Sequence, residues 1–405
     1  MSVGSQPNKN KRIKQQGQAP LQNMTTIFYS ILHFLVDSIC AAAMFSSMLS
    51  GTGGHWRLLV YNFCAFVLQM SFGALLDTWN SNAGTITEAS KSCQNSDTGT
   101  PGHYKAFLFA LAGVIFTAIG AFTSPVILGI GNALFHVGGG VGTIIEDRAC
   151  GSDGQRLGIF VAPGAMGLFL GRLAAQSSIG RSALSAGMIW VSGSALLAAV
   201  LLIALRRMLT GFSISEEQPA DMADLSFHPY DILIIAGCFL VVVIRSYVGL
   251  AVNMPWRTTV AAGLVATTAV VLGKMIGGFS AAAFGNKRTV LWSLIIASVC
   301  YALCDRPVWG ISALFFFNMT MPVTLQILVD RYQKIPGTMF GFLTVGLFLG
   351  YLPVFFSLEA AVSGKTAASV LSVLSMIILS ASAAISENHF HSMKRDEKMV
   401  GLEKE

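Results

Sequence analysis

The chain has 405 residues, of which 53% are hydrophobic and only 11% are charged, against roughly 25% charged in an ordinary soluble domain. Such a composition excludes a soluble globular fold, and the lack of short segments of alternating polarity excludes a strand-built membrane barrel. The formal net charge of +6 is topological, as its distribution below shows, and carries no implication of nucleic-acid binding.

The N-terminal stretch 1–23 is polar and basic, with no apolar region followed by a cleavage site, so no signal peptide is expected to be removed. Apolar runs long enough to cross about 30 Å of hydrocarbon then follow one another. They predict transmembrane helices over 24–49, 56–77, 104–122, 124–145, 157–178, 186–205, 230–252, 258–283, 289–304, 307–329, 337–357 and 367–385. A hydrophilic stretch at 206–229, with Glu216, Glu217, Asp221 and Asp224 after Arg206 and Arg207, divides the twelve into six and six. The expected organisation is a tail (1–23), a six-helix bundle (24–205), a linker (206–229), a second six-helix bundle (230–385) and a tail (386–405). With the N-terminus inside, eighteen of the 26 Lys and Arg face the cytoplasm, five face outward and three (Arg172, Arg245, Lys274) lie within spans. By the positive-inside rule both termini are cytoplasmic.

Charged and amide side chains are expensive in hydrocarbon and mark a bundle interior or a watery path. They fall on span one (Asp37), two (Asn62, Gln69), four (Asn132), five (Arg172, Gln176), seven (Arg245, Asn253), eight (Lys274) and ten (Asn318, Gln326). Within their hydrophobic stretches spans three, six, nine and twelve have none, as expected of helices that face lipid. Asp37 has His33 one turn earlier on the same face. That pair reads as a protonation site, the alternative being a structural ion pair of Asp37 with Arg245; His136 in span four is a further proton-coupling candidate, the alternative being a packing residue. Arg245, Lys274 and Arg172 outnumber the acids and favour an anionic substrate, with Asn132, Asn318 and Gln69 as further binding candidates. Pro163, Gly167 and Pro322 are the expected points of helix bending and close approach.

Neither an intramembrane-protease arrangement nor a Gly-x-x-x-x-Gly-Lys-Ser/Thr loop occurs, so the sequence points to neither an enzyme nor an ATP-driven pump. The seven cysteines lack metal-type spacing. No cofactor and no metal site is read from the sequence.

The two halves echo each other. Gly-Leu-Phe-Leu-Gly occurs at 167–171 and again at 346–350, and an Asp-Arg pair closes span four (Asp147-Arg148) and span ten (Asp330-Arg331). Span two ends Gly73-Ala-Leu-Leu-Asp77, and span eight ends Gly278 through Gly285 followed by Lys287-Arg288. Each keeps part of a Gly-x-x-x-Asp-basic-x-Gly-basic loop; the first copy lacks the basic tail, and the second has Ala282 at the acid. Parallel repeats of this kind, with this loop, resemble the major facilitator superfamily. The resemblance implies an all-α membrane protein of twelve helices in two pseudo-symmetric six-helix bundles, in which Gly73, Asp77, Gly278, Gly285, Lys287 and Arg288 belong to cytoplasmic gate loops. The His33–Asp37 opening, the segment Gly129-Ile-Gly-Asn132-Ala-Leu-Phe-His136 and Arg245-Ser246 are similar to the fosmidomycin-resistance branch. The implied function is secondary active transport by alternating access: proton-coupled efflux of an amphipathic or anionic compound, or uptake or exchange of a small organic anion, with a non-transporting sensor as the remote alternative. Expected partners are the bilayer of a bacterial inner membrane, protons and the solute, in a monomer that binds no nucleic acid.

Overall fold

The computed structural model describes residues 9–48, 53–81, 101–176, 229–358 and 364–402. Helix α1 (Lys9–Ala43) continues into a π-helical turn, Met44–Met48. Helix α2 (Gly54–Asn62) passes through a second π-helical turn, Phe63–Val67, into α3 (Leu68–Ser81). Then come α4 (Pro101–Thr123), α5 (Pro125–Ala149), α6 (Gln155–Val161) and α7 (Pro163–Gln176). The rest of the chain holds α8 (Pro229–Ala251), α9 (Val260–Phe284), α10 (Asn286–Ala302), α11 (Pro307–Asn318), α12 (Thr320–Arg331), α13 (Pro336–Phe355) and α14 (Lys365–Leu402). Among the described residues, ten spans are long and apolar enough to cross a membrane, and α10 is a shorter helix of 17 residues. The expected sixth span, 186–205, and the linker up to residue 228 lie outside the described residues.

Helix is the answer hydrocarbon demands, because every backbone N–H and C=O must be satisfied within its own segment. Two prolines interrupt that rule. Pro163 stands at the first position of α7 and separates it from α6. Pro322 lies in the first turn of α12, just past the break at Met319. A proline has no N–H to give to the carbonyl four residues back, so each break frees a carbonyl for another partner.

The helix pairs are α1 with α7, α8 with α13, α4 with α5, and α10 with α11 and α14. Helix α13 also packs along α3, and α9 along α6 and α7, so elements early in the chain meet elements late in it. Tyr29, Phe135 and Phe160 fill the space between α1, α5 and α6, all at 2% exposure or less. One end of the molecule gathers the C-terminal ends of α3, α5 and α9 and the N-terminal ends of α6 and α13. There the backbones touch. A Cβ at Gly73 would strike the carbonyl of Gly337, and one at Gly278 would strike the carbonyl of Gly154. At the other end the His55 ring stacks on Phe355 at 4.0 Å.

Candidate functional site

A polar cluster lies where α1, α5, α6 and α7 meet. The i, i+4 spacing puts His33 and Asp37 on one face of α1, and the same spacing puts Asn132 and His136 on one face of α5. Helix α7 approaches this face through three glycines. A Cβ at Gly167 would strike the Phe34 carbonyl, one at Gly171 the Ser38 carbonyl, and one at Gly164 both His33 Nε2 and Asp37 Oδ2. Gly167 therefore serves close packing, while the bend in this span belongs to Pro163.

The break before Pro163 also supplies an acceptor. The Ile159 carbonyl loses its intrahelical donor to Pro163, and Ser30 Oγ donates to it at 3.2 Å. The next carbonyl, Phe160 O, takes His33 Nδ1 at 2.7 Å. On the other side His136 Nδ1 donates to Asn132 O at 2.9 Å. His33 Nε2 lies 3.3 Å from Asp37 Oδ2, and His136 Nε2 lies 3.7 Å from Asp37 Oδ1. Asn132 Nδ2 donates to Asp37 Oδ1 at 3.1 Å, and Cys40 Sγ is 3.6 Å from the same amide. Tyr61 reaches the Cys40 thiol from the span-two side.

The two imidazoles meet through their Nε2 atoms, 2.9 Å apart. A backbone carbonyl can only accept, so each Nδ1 must carry its hydrogen. In neutral rings both Nε2 atoms would then present lone pairs to each other at hydrogen-bond distance, which is repulsive. The geometry is satisfied only by a cation between the rings, either an extra proton or a metal ion, with the Asp37 carboxylate as counter-charge.

The expected ion pair between Asp37 and Arg245 does not form among the described residues; the acid is engaged by His33, His136 and Asn132 instead. Arg245 is 8% exposed, and its Nη1 is buried without a hydrogen-bond partner. Lys274, on α9, is half-buried and acts electrostatically on both Arg245 and Asp37. Arg172 was the third basic binding candidate. It is exposed near the end of α7, with its guanidinium 4.9 Å above the Phe45 ring, and Arg257 is its like-charged neighbour. A long stem lets the charge reach the surface. Asn318 donates to its own helix at Leu314 O, 2.8 Å, beside the break that precedes α12. Gln69 donates to Ala65 O at 2.6 Å, and its Oε1 is buried without a partner.

The residues expected in gate loops differ in what they touch. Asp77 does not meet a basic side chain by hydrogen bond; it caps the N-terminus of α13. Its carboxylate accepts from Gly337 N at 2.9 Å, Thr338 N at 2.7 Å and Thr338 Oγ1 at 2.7 Å. Span eight has Ala282 where the second acid was expected, and α6 is capped from elsewhere: Asp147 accepts from Gly154 N at 2.8 Å and Arg156 N at 2.9 Å. Gly285, at φ 85° and ψ 155°, makes the turn into α10, a backbone shape that favours glycine. Lys287 and Arg288 stand exposed in the first turn of α10 and form no ion pair among the described residues.

Three contacts had no precedent in the sequence reading. Arg148 reaches the C-terminal end of α12 and the turn after it, with Nη2 on Val329 O and Nη1 on Gln333 O. Arg331 grips the buried Asp231 bidentately at 2.9 and 3.1 Å. Arg156, Glu146 and Thr26 form a buried triad, with Arg156 Nη1 3.1 Å from Glu146 Oε1. The paired Asp-Arg steps at 147–148 and 330–331 were the available signal. Their partners, scattered over 154, 156, 231, 326, 329 and 333, were not.

No family model matches the chain, and no curated protein matches it. Its fold is similar to the crystal structure of the E. coli fucose:proton symporter FucP, with a TM-score of 0.57 at 14% identity over 89% of this chain and 98% of that one. A bacterial homologue of the iron transporter ferroportin, in an outward-facing state, aligns at a TM-score of 0.47 and 14% identity over 90% of this chain and 98% of that one. The described residues are all-helical, with ten spans long and apolar enough to cross a membrane, in a fold shared with the fucose:proton symporter.

Proposed function

We propose that the chain is a secondary transporter of a bacterial inner membrane. It moves a small anionic solute by alternating access between two six-helix halves, 24–205 and 230–385, with both termini in the cytoplasm. Support for the halves comes from packing that repeats at an interval of six spans. Span one lies on span five as span seven lies on span eleven, and span two lies on span eleven as span eight lies on span five. In such an arrangement the solute sits between the halves and the seams open in turn.

The observation that carries the anionic reading is Arg245, with a buried Nη1 that has no partner, acting alongside the like-charged Lys274. An uncompensated buried charge costs several kcal/mol. A carboxylate, phosphate or phosphonate arriving between the two cations would repay that cost, the guanidinium taking it bidentately. The span-one and span-four motifs favour the fosmidomycin-resistance branch, whose phosphonate namesake has this chemistry. The cluster of His33, Asp37, Asn132 and His136 carries the coupling cation, and Lys274 links the two sites because it acts on Asp37 as well as on Arg245.

Thermal unfolding of the purified protein against a panel of carboxylates, phosphates, phosphonates, neutral sugars and lipophilic cations tests this. Anions should raise the Tm of the parent and not that of Lys274→Gln. Stabilisation by a neutral or cationic compound alone would refute it.

A further inference from the structure

We propose that His33 Nε2, His136 Nε2 and the Asp37 carboxylate form a binding site for one divalent transition-metal cation of the zinc class. The site goes beyond the anion reading and stands or falls independently of it.

The three donors converge. Their separations are 2.9 Å between the two nitrogens, 3.3 Å from His33 to the carboxylate and 3.7 Å from His136 to the carboxylate. These bracket the roughly 3.3 Å edge of a tetrahedron drawn with bonds of about 2.0–2.1 Å around zinc. All three donors are buried or nearly so.

The surrounding contacts are those that orient metal ligands. A ligating imidazole characteristically donates its second N–H to a carbonyl or carboxylate, which fixes the ring and its tautomer. Here His33 Nδ1 is held by Phe160 O and His136 Nδ1 by Asn132 O, and the ligating acid accepts from Asn132 Nδ2. Both free nitrogens are thereby aimed at one point as lone pairs, an arrangement two neutral rings would otherwise avoid.

Gly164 packs so closely against the donors that a Cβ there would strike both His33 Nε2 and Asp37 Oδ2, so this side of the site is closed by the α7 backbone and the three donors are the protein's contribution. Two imidazoles and one carboxylate select a borderline divalent ion such as zinc, cobalt, nickel or iron(II); calcium and magnesium prefer all-oxygen shells. Cys40 lies behind Asn132 and Tyr61 behind Cys40, so neither thiol nor phenol is a first ligand. Lys274 faces the cluster from α9 and acts on both Asp37 and His136, so its ammonium opposes the metal.

The test is a cobalt(II) titration of the full-length, chelator-stripped protein in detergent, read by the visible d–d absorption of tetrahedral cobalt. One equivalent should bind and be displaced by zinc. His33→Gln and His136→Gln should each abolish the band, and Lys274→Gln should tighten binding. Asn132→Ala keeps all three ligands and removes an orienting contact, so it should weaken binding by about 10- to 100-fold. This variant keeps the test decisive if a histidine variant fails to fold. Absence of the band in the parent at millimolar cobalt would overturn the site and leave the cluster to a proton. An undiminished band in His33→Gln and His136→Gln, or in Asn132→Ala, would overturn it equally.

Discussion

Asp77→Ala removes a carboxylate that ties span two to span eleven. The side chain is 2% exposed and accepts three hydrogen bonds at 2.7–2.9 Å from Gly337 and Thr338. Hydrogen bonds to a charged group are each worth about 1.5–3 kcal/mol. Loss of an N-cap alone costs roughly 0.5–2 kcal/mol, and the helix dipole adds up to about 2 kcal/mol in a partly buried site. These terms overlap, and removing the acid also removes its desolvation penalty, so the net effect is about 2–4 kcal/mol. Because donor and acceptor sit on different halves of the chain, that energy belongs to the state in which this end is shut. Its loss should move the closed-to-open ratio by about thirty- to several-hundred-fold, since 1.36 kcal/mol is a factor of ten. Spin labels at Thr78→Cys and Gln333→Cys, measured by double electron–electron resonance, should show one short distance in the parent. The Asp77→Ala background should add a longer population, and Asp77→Asn, which keeps one acceptor oxygen, should fall between. An unchanged distribution in Asp77→Ala would refute the latch.

Gly164→Ala should unfold at lower temperature than the parent by the equivalent of about 1–3 kcal/mol, because a Cβ there meets His33 and Asp37 in a packed seam. A Tm within error of the parent would show that α7 can give way. Asp231→Ala should cost about 3–5 kcal/mol in stability, since it strands the Arg331 guanidinium beside a fully buried site. Chemical denaturation checks it, and a loss below about 1 kcal/mol would mean the arginine finds water. A thiol at Lys287→Cys should react only from the cytoplasmic side and one at Val308→Cys only from outside; the reverse pattern would invert the proposed topology.

Much of the helical frame was legible because hydrocarbon leaves the chain few choices. Run length, Pro163 and Pro322 are local signals, and helix lies over each expected span that the structure describes. The partnership of His33 with Asp37 was also local, set by one turn of helix. What brings His136 to them is not local: it depends on the packing of α5 against α1. The sequence therefore offered a pair and a separate histidine where the structure has one cluster. For the same reason the Asp37–Arg245 pair was a fair expectation from depth alone and failed, since depth says nothing of rotation about the helix axis. The gate loop shows a further limit. Its missing basic tail looked like a defect, yet the backbone amides of α13 meet the Asp77 carboxylate, and backbone amides leave no trace in composition.

The central claim, an anion carried between Arg245 and Lys274, is tested most directly by solid-supported-membrane electrophysiology on proteoliposomes. Rapid exchange onto carboxylates, phosphates and phosphonates should evoke transient currents from the parent with at least one of these anions. Lys274→Gln should reduce and Arg245→Gln abolish that current while protein content stays equal. A current of parental size in Lys274→Gln, or responses to neutral or cationic solutes only, would contradict the account.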